Sequence, residues 1–262
     1  MEGMAHVVDM EDLTVGTAGW VQRTSGRLTT AERRALLRPL ARTCGQIAVG
    51  RLRLALGVHP GRHAYLPDER ITPPTSVLTR AAEEYARRIL PVPLLNHSYR
   101  TYVFGRALGE LDGTDVDTEL LYAGALLHDT GLVNPTGDAD FTLTSSRLAR
   151  LVAEEVGLST AATDTLLTAI TMHYTPGVTA DAGAVAYLLS AGAAVDVVGL
   201  RSWELPSATL AEAVREHPRN GFKNVFTEAF RREAARVPEG RAQLLLRYGA
   251  FAAAIRFAPF AE

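Results

Sequence analysis

The chain has a single cysteine, Cys44, among 262 residues. A lone cysteine excludes an intramolecular disulfide and a cysteine-rich metal site. An excess of charge of one sign is also lacking, because 27 basic and 29 acidic residues give a net charge of −2 at pH 7. Without a basic excess, no global field attracts nucleic acid or an anionic membrane surface. We therefore expect neither nucleic acid nor a membrane as a partner.

Long apolar runs and targeting signals are lacking as well. The longest apolar stretch, residues 184–200, is short for a membrane span and is interrupted by Asp196. The first residues, MEGMAHVVDMEDL, carry acids where a secretory signal has a basic region followed by an apolar run. We expect a cytoplasmic protein that acts on a small molecule, and the sequence leaves assembly into a homo-oligomer open.

The alternation of apolar and polar residues that is typical of β-strands is missing, so no sheet is predicted. From Thr75 onward helical periodicity runs almost to the end, and many segments begin at capping residues and end at glycine or proline. The sequence predicts an all-α fold, with a helical bundle over residues 71–262 and a partly helical N-terminal extension over residues 1–70. Residues 240–257 are predicted as one continuous helix.

What the sequence does have is a set of polar residues inside apolar helical segments. They are His97, the neighbours His128 and Asp129, and Asp196. A buried carboxylate is costly unless it is paired, hydrogen-bonded or bound to a metal. Two imidazoles and two carboxylates suit a divalent ion, and helical bundles often hold such sites in their cores. The four residues therefore predict a site for one metal ion, with zinc as the first expectation and iron or manganese as alternatives.

Each residue taken alone has a simpler interpretation. A histidine near the end of a helix often interacts favourably with the helix dipole. Asp196 could pair with Arg100 or Arg201, since buried charges are usually paired. Arg219 and Lys223 are interpreted as packing and surface charge. It is the four residues together that favour a metal site.

The order of these residues resembles the H…HD…D signature of the HD-domain metalloenzyme superfamily. The segments NHSYR, LLYAGALLHDTGL and AVDVVGL carry this resemblance, which implies an HD-domain helical bundle with His97, His128, Asp129 and Asp196 as metal ligands. Residues 72–105, AITMHYTPGV and HPRNGFK are similar to the cyanamide hydratase type of HD protein. The resemblance covers residues 70 to 235.

The resemblance, together with the positions of the residues in the sequence, suggests roles around the metal. Asp129 and His173 are expected to handle protons in catalysis, and His173 also to bind substrate, with a helix-end cap as its alternative. Arg100 is predicted to bind substrate or to hold a carboxylate in place. Thr130, next to the HD pair, is a third candidate for substrate binding, and Gly131 is predicted to end the helix.

The reaction implied by the resemblance is the addition of water to a small nitrogen-containing molecule; cyanamide would give urea. One alternative is a phosphohydrolase that acts on a nucleotide or phosphomonoester, and another is a tailoring hydrolase or lyase of a nitrogen-containing metabolite. No histidine lies between Asp129 and His173. Because binuclear members of the superfamily need further histidine ligands there, the sequence favours one metal ion over a di-iron pair.

Overall fold

The computed structural model describes residues 14–262, and the acidic N-terminal stretch lies outside the described residues. In this part of the chain the only β pairing is an isolated antiparallel bridge between Arg27 and Gly240. The prediction of an all-α fold is confirmed. The α-helices of residues 14–262 are α1 (Ala18–Thr24), α2 (Thr30–Ala55), α3 (Val77–Ile89), α4 (Val92–Asp112), α5 (Thr118–Leu127), α6 (Thr130–Val133), α7 (Phe141–Glu155), α8 (Thr160–Met172), α9 (Ala184–Val198), α10 (Ser207–Glu216), α11 (Phe222–Arg236), α12 (Arg241–Tyr248) and α13 (Phe251–Arg256).

Among residues 14–262, no helix combines the length and the apolar character that crossing a bilayer requires. The longest, α2, begins with a capping box in which Thr29 and Glu32 satisfy each other's backbone groups. It buries Leu36, Leu40 and Ile47 against the bundle. The described part of the predicted N-terminal extension therefore contributes to the core. The boundary at residue 70 stays a prediction.

Helices α4 and α9 cross with their backbones in close contact. A Cβ atom on Gly105 would lie 2.5 Å from the carbonyl oxygen of Leu188, and one on Gly192 would lie 2.1 Å from that of Thr101. No other residue leaves room for backbones at this distance. The two glycines thus bring the segment of α4 that carries His97 next to the last turns of α9.

The pair His128–Asp129 lies in a turn between α5 and α6, just after the apolar helix that precedes it. The prediction that Gly131 ends the helix is wrong: α5 ends at Leu127, and Gly131 lies within α6. A Cβ atom there would lie 2.1 Å from the carbonyl oxygen of Phe141, and the Gly131 N–H donates to Ser145 Oγ at 2.9 Å. Gly131 therefore lets α7 pack directly against the turn that bears the HD pair.

The prediction of one helix over residues 240–257 is wrong. Helix α12 ends at Tyr248, and Ala250 adopts a left-handed conformation with φ of 47° before α13 begins. This break lets α13 turn back against α9 and α11, which buries Ile255 completely. The apolar pattern continues through the break, because the residues on both sides of it face the same core.

Candidate metal centre

Three buried histidines surround the carboxylate of Asp129. The distance from Asp129 Oδ2 is 3.3 Å to His128 Nε2 and 3.6 Å to His97 Nε2. On the other side, Asp129 Oδ1 lies 3.6 Å from His173 Nε2. One ligand atom from each of His97, His128 and Asp129 lies within 4.8 Å of the other two. The structure thus brings together four of the residues that the sequence singled out.

The hydrogen bonds of the rings show which nitrogen of each histidine is free. His128 and His173 donate from Nδ1 to the backbone carbonyl three residues earlier, at 2.8 and 2.7 Å. His97 donates from Nδ1 to Asp196 Oδ2 at 2.7 Å. Because these oxygens only accept, each Nδ1 carries a proton, and each ring in its neutral form presents an Nε2 lone pair. The Nε2 atoms of His97 and His128 face each other at 3.3 Å.

The donor set fits a divalent cation. Both oxygens of Asp129 are buried, and neither accepts a hydrogen bond from the residues that the structure describes. An ionised carboxylate without a hydrogen-bond partner is among the most costly groups to bury, and the lone pairs of neutral imidazoles beside it add no compensation. A positive ion among these atoms would satisfy all of them at once. His97, His128 and Asp129 would hold the ion, with the His173 nitrogen beside them.

The electrostatics of the group agree with this assignment. Burial, together with the nearby His128, lowers the pKa of His173 to about 3, so this ring is neutral at pH 7. Burial would raise the pKa of Asp129, but the nearby His128 holds it well below its usual range. Burial lowers the pKa of His128, yet Asp129 more than reverses this effect and raises it. The carboxylate of Asp129 thus favours a positive charge beside it, here a proton on His128.

Asp196 is not part of this group, although it was predicted as the fourth ligand. Its Oδ1 accepts from Arg100 Nε at 2.8 Å and from Arg219 Nη1 at 2.6 Å. Its Oδ2 accepts from Arg100 Nη2 at 2.8 Å and from His97 Nδ1. Four donors occupy the lone pairs of the carboxylate, so it has none left to offer a metal. The structure therefore does not bring Asp196 into the group of His97, His128 and Asp129, and the carboxylate contacts the Nδ1 side of the His97 ring instead.

The carboxyl group of Asp196 is ionised. Burial would raise its pKa, but the guanidinium groups of Arg100 and then Arg219 hold it well below the usual range of a carboxyl group. Burial lowers the pKa of His97, which outweighs the opposite effect of Asp196. The ring is therefore neutral, and it is locked in the tautomer that presents Nε2 to the metal site.

Two predicted substrate-binding residues do not reach the site. Arg100 is fully buried. Its guanidinium forms an ion pair with Asp196 and donates a hydrogen bond to the carbonyl oxygen of His217 at 2.7 Å. The hydroxyl of Thr130 donates to the carbonyl oxygen of Leu127 at 2.8 Å. The substrate-binding predictions for Arg100 and Thr130 do not match this geometry, whereas the alternative for Arg100, holding a carboxylate, does.

Arg219 packs in the core, as one part of its interpretation predicted, but it does not contribute surface charge. It is buried, lies 4.8 Å from the centre of the Phe222 ring and binds Asp196. The motif HPRNGFK, which contains it, carries part of the family resemblance. Charge alone gave no sign of burial, because an arginine beside a turn is usually exposed.

Residues 94–244 match the HD domain family. The chain belongs to the HD domain family. It is also 27% identical over 192 residues to cyanamide hydratase DDI2 and to cyanamide hydratase DDI3 of Saccharomyces cerevisiae, covering 71% of this chain and 85% of each yeast protein. The all-helical HD fold is thus established, and the buried histidines and Asp129 are the candidate metal site of this HD-domain hydrolase.

A cavity of about 540 Å³ reaches the candidate metal site of the HD domain. Its floor includes His97, His128, Asp129 and His173, whereas Arg100, Arg219 and Thr130 do not line it. Most of its wall is apolar. The main wall residues are, from α2, Pro39, Leu40, Thr43, Cys44 and Ile47; from α9, Ala193, Ala194, Val197 and Val198; and the aromatic residues Trp203, Phe226, Phe230 and Phe251.

Proposed function

We propose that this HD-domain protein is a metal-dependent hydratase that adds water across the carbon–nitrogen triple bond of a small molecule. The observation that carries the proposal is the buried carboxylate of Asp129, without a hydrogen-bond partner in residues 14–262, among three imidazole lone pairs. The similarity to two yeast cyanamide hydratases supports the reaction type. With cyanamide as the substrate, the product would be urea.

The residues divide the work between holding the ion and moving protons. His97, His128 and Asp129 would hold one divalent metal ion, with zinc as the first candidate and iron or manganese as alternatives. The ion would lower the pKa of a bound water and polarise the substrate nitrogen. Asp129 Oδ1 and His173 Nε2, 3.6 Å apart on the cavity side, are the pair proposed to take a proton and return it to that nitrogen.

The walls of the cavity favour a neutral substrate over a phosphate ester. A phosphate would need free cationic groups beside the metal. Arg100 and Arg219 are buried in ion pairs with Asp196 and do not line the cavity. Of the arginines that line the cavity, Arg201 is paired with Asp112 and Glu204, and Arg42 is an exposed residue of α2. The phosphohydrolase alternative therefore has little support from the described residues.

The test loads the purified protein with zinc, iron or manganese and measures urea from cyanamide, together with phosphate from a nucleoside monophosphate and from p-nitrophenyl phosphate. We expect urea only, with about one metal ion per chain. The variant His128→Ala should lose both metal and activity. His63→Ala is the matched control, because His63 is an exposed histidine outside the site. Phosphate release without urea, or full activity in metal-free protein, would contradict the proposal.

A further inference from the structure

We propose that the substrate carries, beyond its reacting carbon–nitrogen group, an apolar body about the size of an aromatic ring, which binds against the wall formed by α2 and α9. This inference rests on the proposed function and names its substrate class as N-substituted cyanamides or related nitriles. Cyanamide itself would then be a poor, truncated substrate.

The first argument is size. Cyanamide has three heavy atoms and fills on the order of 60 Å³, about twice the share of one water molecule in the liquid. The cavity that reaches the candidate metal site measures about 540 Å³. Cavities between about 300 and 1,000 Å³ are typical of sites that enclose ligands of drug size. Cyanamide would leave most of this space unfilled and would be held only at the floor.

The second argument is the chemistry of the wall. Side chains from α2, among them Leu40, Cys44 and Ile47, line the cavity together with Ala194 and Val197 of α9. An apolar ligand that displaces water from this wall makes binding more favourable, because apolar surface is removed from water on both sides. Outside the floor, where the ion would be held, the charged lining residues are Arg201 and Glu204, which pair with each other, and the exposed Arg42. The wall therefore fits a neutral, apolar substituent.

The third argument is where the wall comes from. The match to the HD domain covers residues 94–244, which include every residue of the candidate metal site. Helices α2 and α13 lie outside that range, yet both line the cavity. The match to the HD domain thus includes the residues of the candidate metal site, and it does not include this part of the cavity wall. A wall added by flanking helices is expected to select the substrate.

The proposed reaction balances without a co-reactant other than water. A compound R–NH–C≡N would take up one water molecule and become the substituted urea R–NH–CO–NH₂. One carbon–oxygen bond forms, the triple bond becomes a single bond as the carbonyl forms, and both protons of water end on the terminal nitrogen. Nothing is oxidised or reduced, so the residues of the floor suffice together with the metal.

The experiment compares phenylcyanamide with cyanamide in the metal-loaded protein. We expect kcat/KM for phenylcyanamide to exceed that for cyanamide at least about tenfold, the discrimination that one apolar pocket supplies. Cys44→Trp on α2, and separately Ala194→Phe on α9, would fill the wall region and shift the ratio of the two kcat/KM values at least about tenfold toward cyanamide. Val49→Trp, on the exposed face of α2 and outside the cavity, should leave the ratio unchanged.

A binding measurement separates the failure of this inference from the failure of the proposed function. Calorimetric titration with phenylurea, in metal-free and metal-loaded protein, should show binding that Cys44→Trp and Ala194→Phe weaken and Val49→Trp does not. If neither cyanamide compound reacts but phenylurea binds in this pattern, the proposed function fails and the apolar site stands. If cyanamide reacts at least as well as phenylcyanamide, or phenylurea does not bind, the inference is overturned.

Discussion

Two carboxylates lie on opposite sides of the His97 ring, and they are equally buried. Asp129 is 1% exposed and Asp196 is 0% exposed. Asp196 accepts hydrogen bonds from Arg100, Arg219 and His97, whereas Asp129 accepts none from the described residues. Burial alone would give the two residues the same role. Their partners separate them: a carboxylate with its own cations stabilises the fold, and one without them is a place for a cation from solution.

Asp140 shows that the paired arrangement is the usual one in this protein. It is a buried residue that binds Arg241, Thr142 and Tyr174. Like Asp196, it is compensated within the fold, and it caps α7. Asp129 therefore stands apart from two other buried aspartates, and the predictions below test that difference through the free energy of unfolding and through metal content.

The largest effect on folding is expected for Asp196→Ala. The change would leave the buried guanidinium of Arg100 without a counter-ion and that of Arg219 with Glu262 alone, which should cost about 3–5 kcal/mol of unfolding free energy. Urea denaturation of metal-free protein measures this loss. Asp164→Ala, on the exposed surface of α8, is the control and should change stability by less than about 0.5 kcal/mol. A loss of similar size in both variants would mean that Asp196 is not held as described.

The next largest effect is expected for Gly192→Ala at the crossing of α4 and α9. The added methyl group would lie 2.1 Å from a backbone oxygen, and the helices must separate, at a cost of about 1–3 kcal/mol. Separation would also lengthen the contact between His97 and Asp196. Gly45→Ala on α2 is the matched control, because nothing lies within 4 Å of its Cβ position and helix propensity should raise stability by up to about 1 kcal/mol. Equal changes in the two thermal unfolding curves would contradict the close crossing.

A smaller effect is expected for Thr130→Val. The loss of the hydrogen bond to Leu127 should cost about 1 kcal/mol, since a carbonyl loses one of its partners. KM should stay within about twofold of the parent value, because Thr130 does not line the cavity. Thr130→Ser should restore stability. A large rise in KM for Thr130→Val that Thr130→Ser reverses would return Thr130 to the substrate site.

The smallest effect on folding, together with the largest on metal content, is expected for Asp129→Asn. In metal-free protein the change removes the burial cost of a charge and also its attraction to the His128 ring 3.3 Å away. Because these two effects oppose each other, the unfolding free energy should stay within about 1 kcal/mol of the parent. Metal affinity should fall by at least about 100-fold, because a charged ligand is lost. Elemental analysis after dialysis measures the metal. Strong destabilisation of the metal-free variant would place Asp129 in the same class as Asp196.

Much of the site could be predicted from the sequence, because polar residues inside apolar helices are rare enough to be noticed. His97, His128, Asp129 and His173 come together as their order suggested. The distinction between a ligand and its support could not be predicted. Both aspartates lie in apolar surroundings, and the pattern shows that each needs a partner without showing which one.

The partners of Asp196 illustrate this limit. Arg100, one turn beyond His97 on the same helix, could be foreseen as one partner, and Arg201, the other candidate, binds Asp112 instead. Arg219 reaches Asp196 from beyond α10. That contact depends on how α10 and α11 turn back over α4, which local periodicity does not contain. The same reason hid the break at Ala250, since packing and not composition decides where the chain bends.

The origin of the cavity wall has a consequence for how this protein can change. Its chemistry is encoded in one continuous stretch of the chain, and much of its selectivity is encoded before and after that stretch, in α2 and α13. Mutations in α2 can therefore alter which molecule is accepted while the catalytic apparatus is inherited intact. A library confined to residues 39–47 would explore new substrates at little risk to metal binding, which makes this helix the natural starting point for redesign.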